Sequence, residues 1–375
     1  MSPVSLSPSI TIPRSLVPQG AEVIRSSVVD IYPMSGITAF NTTRRDPQLP
    51  VAMGREESAI YLEKLVAERD FLVTRLRKNI PELPLSGGVE AVHQFFIDHG
   101  LAKLGLRNIT LQGGVLSAEH CLVTHPAYSL YSESSNPLLR EFGANLGAAL
   151  ILTTSDGKLL IQHRKPENRV YGDVPGASIA GLVDAPKGPL DRLDMLQVGQ
   201  SVMLAEGREE VGFAPDVTEE FTFTGLHIDK AALHHEMTFT SRTSRTSDEI
   251  ATAALANQHK NDPAAFSENI VFLDSTPQVV ARLLTDIRTP FPMTHAGPLL
   301  MLGYQLMKDT KPVEASSWLH SAIAAMDENY RVIDTLSADG RYSPGKSATA
   351  QGLPSFKDEL QRVFRGEHRY VECGK

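Results

Sequence analysis

Two cysteines in 375 residues, Cys121 and Cys373, are too few and too far apart for a disulfide framework or a cysteine-based zinc site. This usage fits a reducing, intracellular setting. No apolar run reaches the roughly 18 residues needed to span a bilayer. The opening stretch MSPVSLSPSITIPRSLVPQG has neither a basic segment followed by an apolar one nor a long acid-free Arg-rich amphipathic run, so a cytoplasmic protein is expected. Basic charge is in deficit too: 36 Lys and Arg against 44 Asp and Glu leave a net charge of -8, which supplies no electrostatic footprint for nucleic acid or for an anionic membrane. The deficit does not exclude a small anionic substrate, because a bound metal can supply positive charge locally. Repeats with a period of 20 to 50 residues are also absent, which excludes a solenoid or propeller.

What is present is a composition of 42% hydrophobic and 21% charged residues, that of a folded globular chain long enough for one large domain or two ordinary ones. Residues 1–55 are rich in Ser, Pro and Thr and read as a flexible N-terminal arm, with Thr42 to Pro47 as a loop. Residues 56–139 read as a helical or mixed extension. Its first helix spans Glu56 to Asn79, with an apolar stripe through Ile60, Leu65, Leu72 and Leu76, and a second spans Gly88 to Gly100. The main domain is expected at 140–310, and a helical C-terminal segment with a tail at 311–375.

The main domain opens on a hairpin, Leu146–Thr154 and Lys158–His163, joined by Asp156-Gly157. A Gly/Pro turn and a short strand over Ala177–Val183 follow, then a loop from Asp184 to about Met195. Gln197 to Phe213 reads as a helix closed by Gly212, and further strands are expected at Phe221–Thr224, Glu236–Ser241 and Ile270–Leu273. In that helix Glu206, Glu209 and Glu210 stand at i, i+3 and i+4, so they share a face, while Leu204 and Val211 take the other. Each like-charged pair at that spacing costs a few tenths of a kcal/mol, roughly, and Gly207 inside the helix costs about another 1 kcal/mol. Mg2+ or Mn2+ would offset the repulsion, because hard cations take oxygen ligands and bridge carboxylates to phosphates. An ordinary solvated acidic face has the same spacing, and periodicity alone does not separate the two.

The order of elements separates them. Hairpin, Gly/Pro turn, short strand, loop, then Ala205-Glu206-Gly207-Arg208-Glu209-Glu210-Val211-Gly212-Phe213 and more strands resembles the Nudix hydrolase superfamily over about Asn145 to Leu306. The resemblance implies an α/β/α sandwich with a mixed sheet, and a Mg2+- or Mn2+-dependent hydrolase of a diphosphate linkage in a nucleoside diphosphate joined to another group. Glu206, Glu209 and Glu210 would be metal ligands, with Glu209 and Glu210 counted as catalytic. Glu268 would be a further acid that orients or deprotonates water, with Asp248, Glu249 and Glu236 as competitors. Arg164 and Lys165 would meet the substrate's phosphates. The layout looks more like the UDP-sugar-hydrolysing branch. Two positions depart from the family's pattern: Gln197 replaces its first Glu and Ala205 its Arg, a pair that braces loop to helix. Two alternatives stay open, an enzyme on a non-nucleotide diphosphate such as an isoprenyl diphosphate, and an inactive Nudix-fold binding protein.

Three other signals carry less. Gly340-Arg-Tyr-Ser-Pro-Gly-Lys-Ser347 matches the P-loop pattern, but Gly352 and Pro354 leave no room for the helix a P-loop requires. His234 and His235, adjacent in a strand, point to opposite faces and read as strand-edge histidines rather than one metal site. Cys121 beside His120 reads as a buried structural cysteine.

Overall fold

A computed structural model describes residues 24–25, 29–33, 39–45, 54–74, 78–112, 115–124, 126, 145–166, 172–186, 189–211, 222–229, 234–257, 268–289, 291, 293–338 and 347–373. Three short strands come first, β1 (Ile24–Arg25), β2 (Val29–Pro33) and β3 (Ala39–Arg44), then helices α1 (Arg55–Thr74) and α2 (Gly88–Asp98) and strands β4 (Lys103–Gln112) and β5 (Val115–Val123). Strands β6 (Leu146–Thr153), β7 (Lys158–His163), β8 (Pro175–Gly176), β9 (Ile179–Leu182) and β10 (Arg192–Asp194) precede helix α3 (Met195–Glu210). Then come β11 (Thr222–Asp229), β12 (His234–Arg242), α4 (Ser247–Asn257), β13 (Asn269–Asp274), α5 (Pro277–Thr285), α6 (Met293–Thr310), α7 (Ala315–Ala338), α8 (Phe356–Phe364) and β14 (Arg369–Val371).

The large sheet runs β1-β2-β11-β12-β6-β7-β13-β14, with β9 paired to β6 and β8 to β7; a smaller sheet runs β10-β3-β5-β4. Both are mixed, since β12–β6 and β3–β5 are parallel and the other pairs antiparallel. Strand β6 shows why the architecture has layers on both sides. Its Leu146, Ala148, Leu150 and Leu152 enter one core with Met195, Met203 and Val211 and with the smaller sheet's Phe40, Leu104 and Leu116. Its Ala149 and Ile151 enter a second core with residues of α5, α6, α7 and α8. A strand covered on both faces has no polar alternation, hence the unbroken apolar run. The expected α/β/α sandwich with a mixed sheet is the observed class.

The hairpin expected at 146–163 forms only at its closed end, where Leu152 pairs with Leu160 and Thr153 with Leu159. Beyond that point β6 and β7 fork, and the chain from Pro175 to Leu182 fills the gap, first along β7 and then along β6. Ser178 sits at the crossing. Its hydroxyl donates to the Leu160 carbonyl at 2.5 Å and accepts from Leu152 N–H at 2.7 Å, satisfying backbone groups that the fork would leave unpaired.

Several segments differ from the sequence expectation. Residues 24–25, 29–33 and 39–44, inside the stretch read as a flexible arm, are strands, and Thr42, Thr43 and Arg44 lie in β3 rather than in a loop. Strand β2 pairs with β11 in the large sheet while β3 pairs with β5 and β10 in the smaller one, so the long-range partners decide their structure. The 184–195 loop contains β10, and α3 begins at Met195. The Gly212 and Phe213 of the helix end, and residues 340–346 of the P-loop-like stretch, lie outside the described residues. Among the described residues no helix is long and apolar enough to cross a membrane.

Candidate active site

Helix α3 is started by Asp194, whose carboxylate accepts from the N–H groups of Leu196 at 3.0 Å and Gln197 at 3.4 Å. Its buried residues Met195, Gly199, Met203 and Gly207 recur every four positions, which fixes one strip against the sheet. The last turn then delivers the three glutamates to the fork, Glu206 and Glu210 half-buried and Glu209 exposed.

Glu210 is half-buried. Its Oε2 accepts from Gln162 Nε2 at 2.9 Å and from Ala180 N–H at 3.1 Å, so one arm of the fork, β7, and the inserted strand β9 both hold it. Burial, then the Glu206 charge and more weakly Glu268, push its pKa well above the carboxylate range, against the opposing pull of those two hydrogen bonds. Glu206 is half-buried and lies against Gly181: a Cβ there would stand 2.2 Å from Glu206 Oε1, so a side chain at 181 would displace the carboxylate. Burial first, then the Glu209 charge, push Glu206 up to about 7, with Lys103 opposing and Asp184 adding to the rise. Glu209 is exposed. The shared face inferred from spacing is therefore a fan running from half-buried to solvated.

Glu268, just before β13, is buried beside this group. Its Oε2 accepts from Lys165 N–H at 2.8 Å, and its Oε1 lies 3.9 Å from Arg164 Nη1. Arg164 and Lys165 are half-buried immediately after β7. The structure thus brings Glu206, Glu210, Glu268 and Arg164 into one electrostatic neighbourhood, with Lys165 tied in by its backbone and Glu209 at the solvent edge. Of the competitors, Asp248 pairs with Arg369 and Glu249 caps its own helix through Thr246 N–H at 2.8 Å, while Glu236 is buried against His234 at 2.6 Å. Gln197 and Ala205 are both exposed.

Strand β12 lies between β11 and β6, so its histidines are not at a strand edge. Their opposite facing holds, with His234 beside Glu236 and His235 buried, where burial and then the His234 charge push its pKa down to about 3. Cys121 is buried.

Sequence reasoning missed Gln162 and His295. Gln162 was visible as the polar residue in the Leu-Leu-Ile-Gln run, where a buried amide requires a partner. His295, in the first turn of α6, accepts from Ala177 N–H through Nδ1 at 3.3 Å. Burial, then the nearby Arg164 and His234 charges, push its pKa down to about 3, so the ring is neutral with its proton on Nε2. No local signal marks it, since its neighbours come from distant segments.

Among the described residues no three His, Cys, Asp or Glu side chains converge closely enough to hold a metal ion by themselves. The donor chemistry nonetheless fits a hard cation. Two carboxylates favour protonation because burial and mutual repulsion penalise their charge, and a cation relieves both. Mg2+ characteristically takes one or two carboxylates and fills its other positions with water and substrate phosphate.

No family profile and no curated protein matches the chain. Similar solved structures include DR0079 from Deinococcus radiodurans, 16% identical over 27% of this chain and 57% of that one, with a TM-score of 0.21. Another is Tm1382, named as a candidate Nudix hydrolase, 21% identical over 28% of this chain and 50% of that one, with a TM-score of 0.20. The matched stretch spans about half the length of each of those proteins.

Proposed function

We propose that the protein is a metal-dependent hydrolase of a diphosphate linkage, acting on a nucleoside diphosphate joined to another group such as a sugar. The observation that carries this reading is the concentration of desolvated acid at the fork: Glu210 and Glu206 on the last turn of α3, both half-buried, with the buried Glu268 adjacent and Arg164 3.9 Å from it. A structural role alone gives no reason to desolvate two carboxylates that repel each other, because an apolar pair would cost less.

Glu206 and Glu210 would hold Mg2+ or Mn2+, with Glu209 reaching in from the exposed edge. When bound, the ion neutralises the diphosphate and lowers the pKa of water. Glu268, with one oxygen fixed by the Lys165 N–H, orients or deprotonates the attacking water. The Arg164 guanidinium and the Lys165 ammonium meet phosphate oxygens. His295, neutral, offers Nε2–H as a donor that does not compete with the cation.

The test is a panel of UDP-sugars, ADP-ribose, dinucleoside polyphosphates and isoprenyl diphosphates with Mg2+ or Mn2+, run beside Glu210→Gln and Glu209→Gln. Turnover of one class by the unsubstituted protein, lost in Glu210→Gln, is expected. Absence of turnover throughout sinks the proposal. A second reading, a protein of the same fold that binds a nucleotide or partner without turnover, draws on the absence of a three-ligand cage and on Gln197 and Ala205. It predicts binding of a panel member that Glu210→Gln leaves unchanged.

A further inference from the structure

Strand β14 brings a residue from the far end of the chain to the two segments that carry Glu268 and Arg164. It pairs antiparallel with β13, placing Val371 opposite Ile270. Strand β13 pairs in turn with β7, so that Asn269 stands opposite His163. His163 immediately precedes Arg164, and Asn269 immediately follows Glu268. The Tyr370 hydroxyl touches both: it lies 2.5 Å from His163 Nδ1 and accepts from Asn269 Nδ2 at 2.9 Å.

We propose that Tyr370 is a positioning residue: its hydroxyl, tied at once to His163 and Asn269, fixes Arg164 and Glu268 relative to each other.

The hydrogen bonds assign a direction. With the Asn269 amide donating to the phenol oxygen, the phenol proton goes to His163 Nδ1, which leaves the ring proton on Nε2 to donate to Asp173 Oδ1 at 2.9 Å. Asp173 has φ +62, a left-handed conformation that Asp and Asn adopt more readily than other non-glycine residues. Its own N–H donates to the Arg164 carbonyl at 2.8 Å, and Arg164 N–H donates to the Val174 carbonyl at 2.9 Å. The path therefore ends on the backbone of the residue whose guanidinium faces Glu268. On the other side Asn269 is pinned by a second bond, accepting from Cys373 N–H at 3.0 Å. His163 and Asp173 are both buried, so water does not replace a lost partner freely.

The contribution of the hydroxyl is separable from that of the ring. Phe keeps the edge contact with His163, where the ring centroids are 5.7 Å apart, and the ring that Lys357 Nζ overlies at 4.8 Å. Tyr370→Phe thus removes the tie and leaves the packing.

This inference rests on the proposed hydrolase for its consequence, and it is tested first without turnover. Hydrogen exchange in the full chain is followed for a peptide spanning Gln162–Pro166, which includes the Lys165 amide bonded to Glu268, and for one spanning β6. In Tyr370→Phe the first is expected to exchange at least about tenfold faster while β6 is unchanged. Glu372→Gln, which removes a surface ion pair with Lys357 in the same segment and keeps the Tyr370 hydroxyl, is expected to leave both unchanged. Unchanged exchange at Gln162–Pro166, or equal acceleration in β6, overturns the positioning role. Should Tyr370→Phe not fold, Asn269→Ala removes the other half of the tie and is judged the same way. On whichever panel substrate is turned over, kcat is expected to fall about tenfold with KM within about twofold, the signature of a group misplaced in the transition state. A kcat within about twofold of the unsubstituted protein overturns the role in catalysis. If no substrate is turned over, the hydrolase proposal fails and the exchange result alone decides the tie.

Discussion

Replacing Glu206 by Gln should stabilise the protein, by an amount that depends on pH. In the folded state burial and the Glu209 charge carry the Glu206 pKa from 4.5 to about 7. Above pH 7 the folded protein holds a charge that the unfolded chain carries freely in water. The shift is worth about 3 kcal/mol at about 1.4 kcal/mol per tenfold. Because the side chain is only half-buried and Glu209 is exposed, screening reduces this to about 1–2 kcal/mol. The sign follows from a raised folded pKa: the stability of the unsubstituted protein is intact below about pH 4.5 and is lost as pH rises through about 7. Glu206→Gln has no charge to lose, so the two proteins should be equally stable at pH 4.5, and the variant more stable at pH 8. The sole tryptophan, Trp318, packs against α6 at Gly303 and reports urea unfolding by fluorescence in both. Mg2+ at ten times its dissociation constant should return about 1.4 kcal/mol to the unsubstituted protein at pH 8, and less to the variant. A variant no more stable than the parent at pH 8, or a gap of equal size at pH 4.5 and pH 8, refutes the reasoning.

Glu210→Gln, with a neutral amide in place of a half-buried carboxylate, should keep its fold by circular dichroism and lose turnover at least about a hundredfold, the upper end for altering even a metal site's outer partners. Chelation of divalent ions should abolish turnover in the unsubstituted protein, and Mg2+ or Mn2+ should restore it. Gly199→Ala should destabilise, because the new Cβ would stand 2.7 Å from Phe239 Cζ and 2.9 Å from Met237 Cε. Overpacking of about 1–3 kcal/mol then outweighs a helix-propensity gain of about 1 kcal/mol, and the urea midpoint should fall. Partial burial raises the Asp156 pKa, but hydrogen bonds from Ser247 and Thr154 outweigh it and hold the group down to about 2. The stability it contributes is present above about pH 4 and lost as pH falls through about 2, so the gap between parent and Asp156→Asn, about 1 kcal/mol for so exposed a group, should close by pH 2 in acid titration.

The local chemistry of the chain was open to reading where one segment carries its own cause. Helix α3 follows from residues within it and beside it: a capping Asp194 and a buried residue every fourth position. The place of Glu206, Glu209 and Glu210 in its last turn follows equally from spacing. The Asp156-Gly157 turn and the apolar run of β6 are of the same kind, whereas the sheet's two-sided covering was an expectation that came from the family resemblance.

What spacing could not supply is depth. Glu209 and Glu210 are adjacent in the chain, yet Glu210 is half-buried and held by Gln162 and Ala180 while Glu209 is exposed, because the fork lies on one side of the helix only. The fork itself depends on Pro175–Leu182 entering between β6 and β7, a choice that neither strand encodes. Strands β2 and β3 were unreadable for the same reason, since each is a strand by virtue of a distant partner, in β11 and in β5. His295 and Tyr370 reach the site from over 80 residues beyond α3, through contacts with Ala177, His163 and Asn269. Sequence alone determined that Glu206, Glu209 and Glu210 share one turn of a helix, because helix periodicity is local. Only the tertiary structure decided which of them are desolvated, paired or solvated, because burial and hydrogen-bond partners are set by segments that meet only on folding.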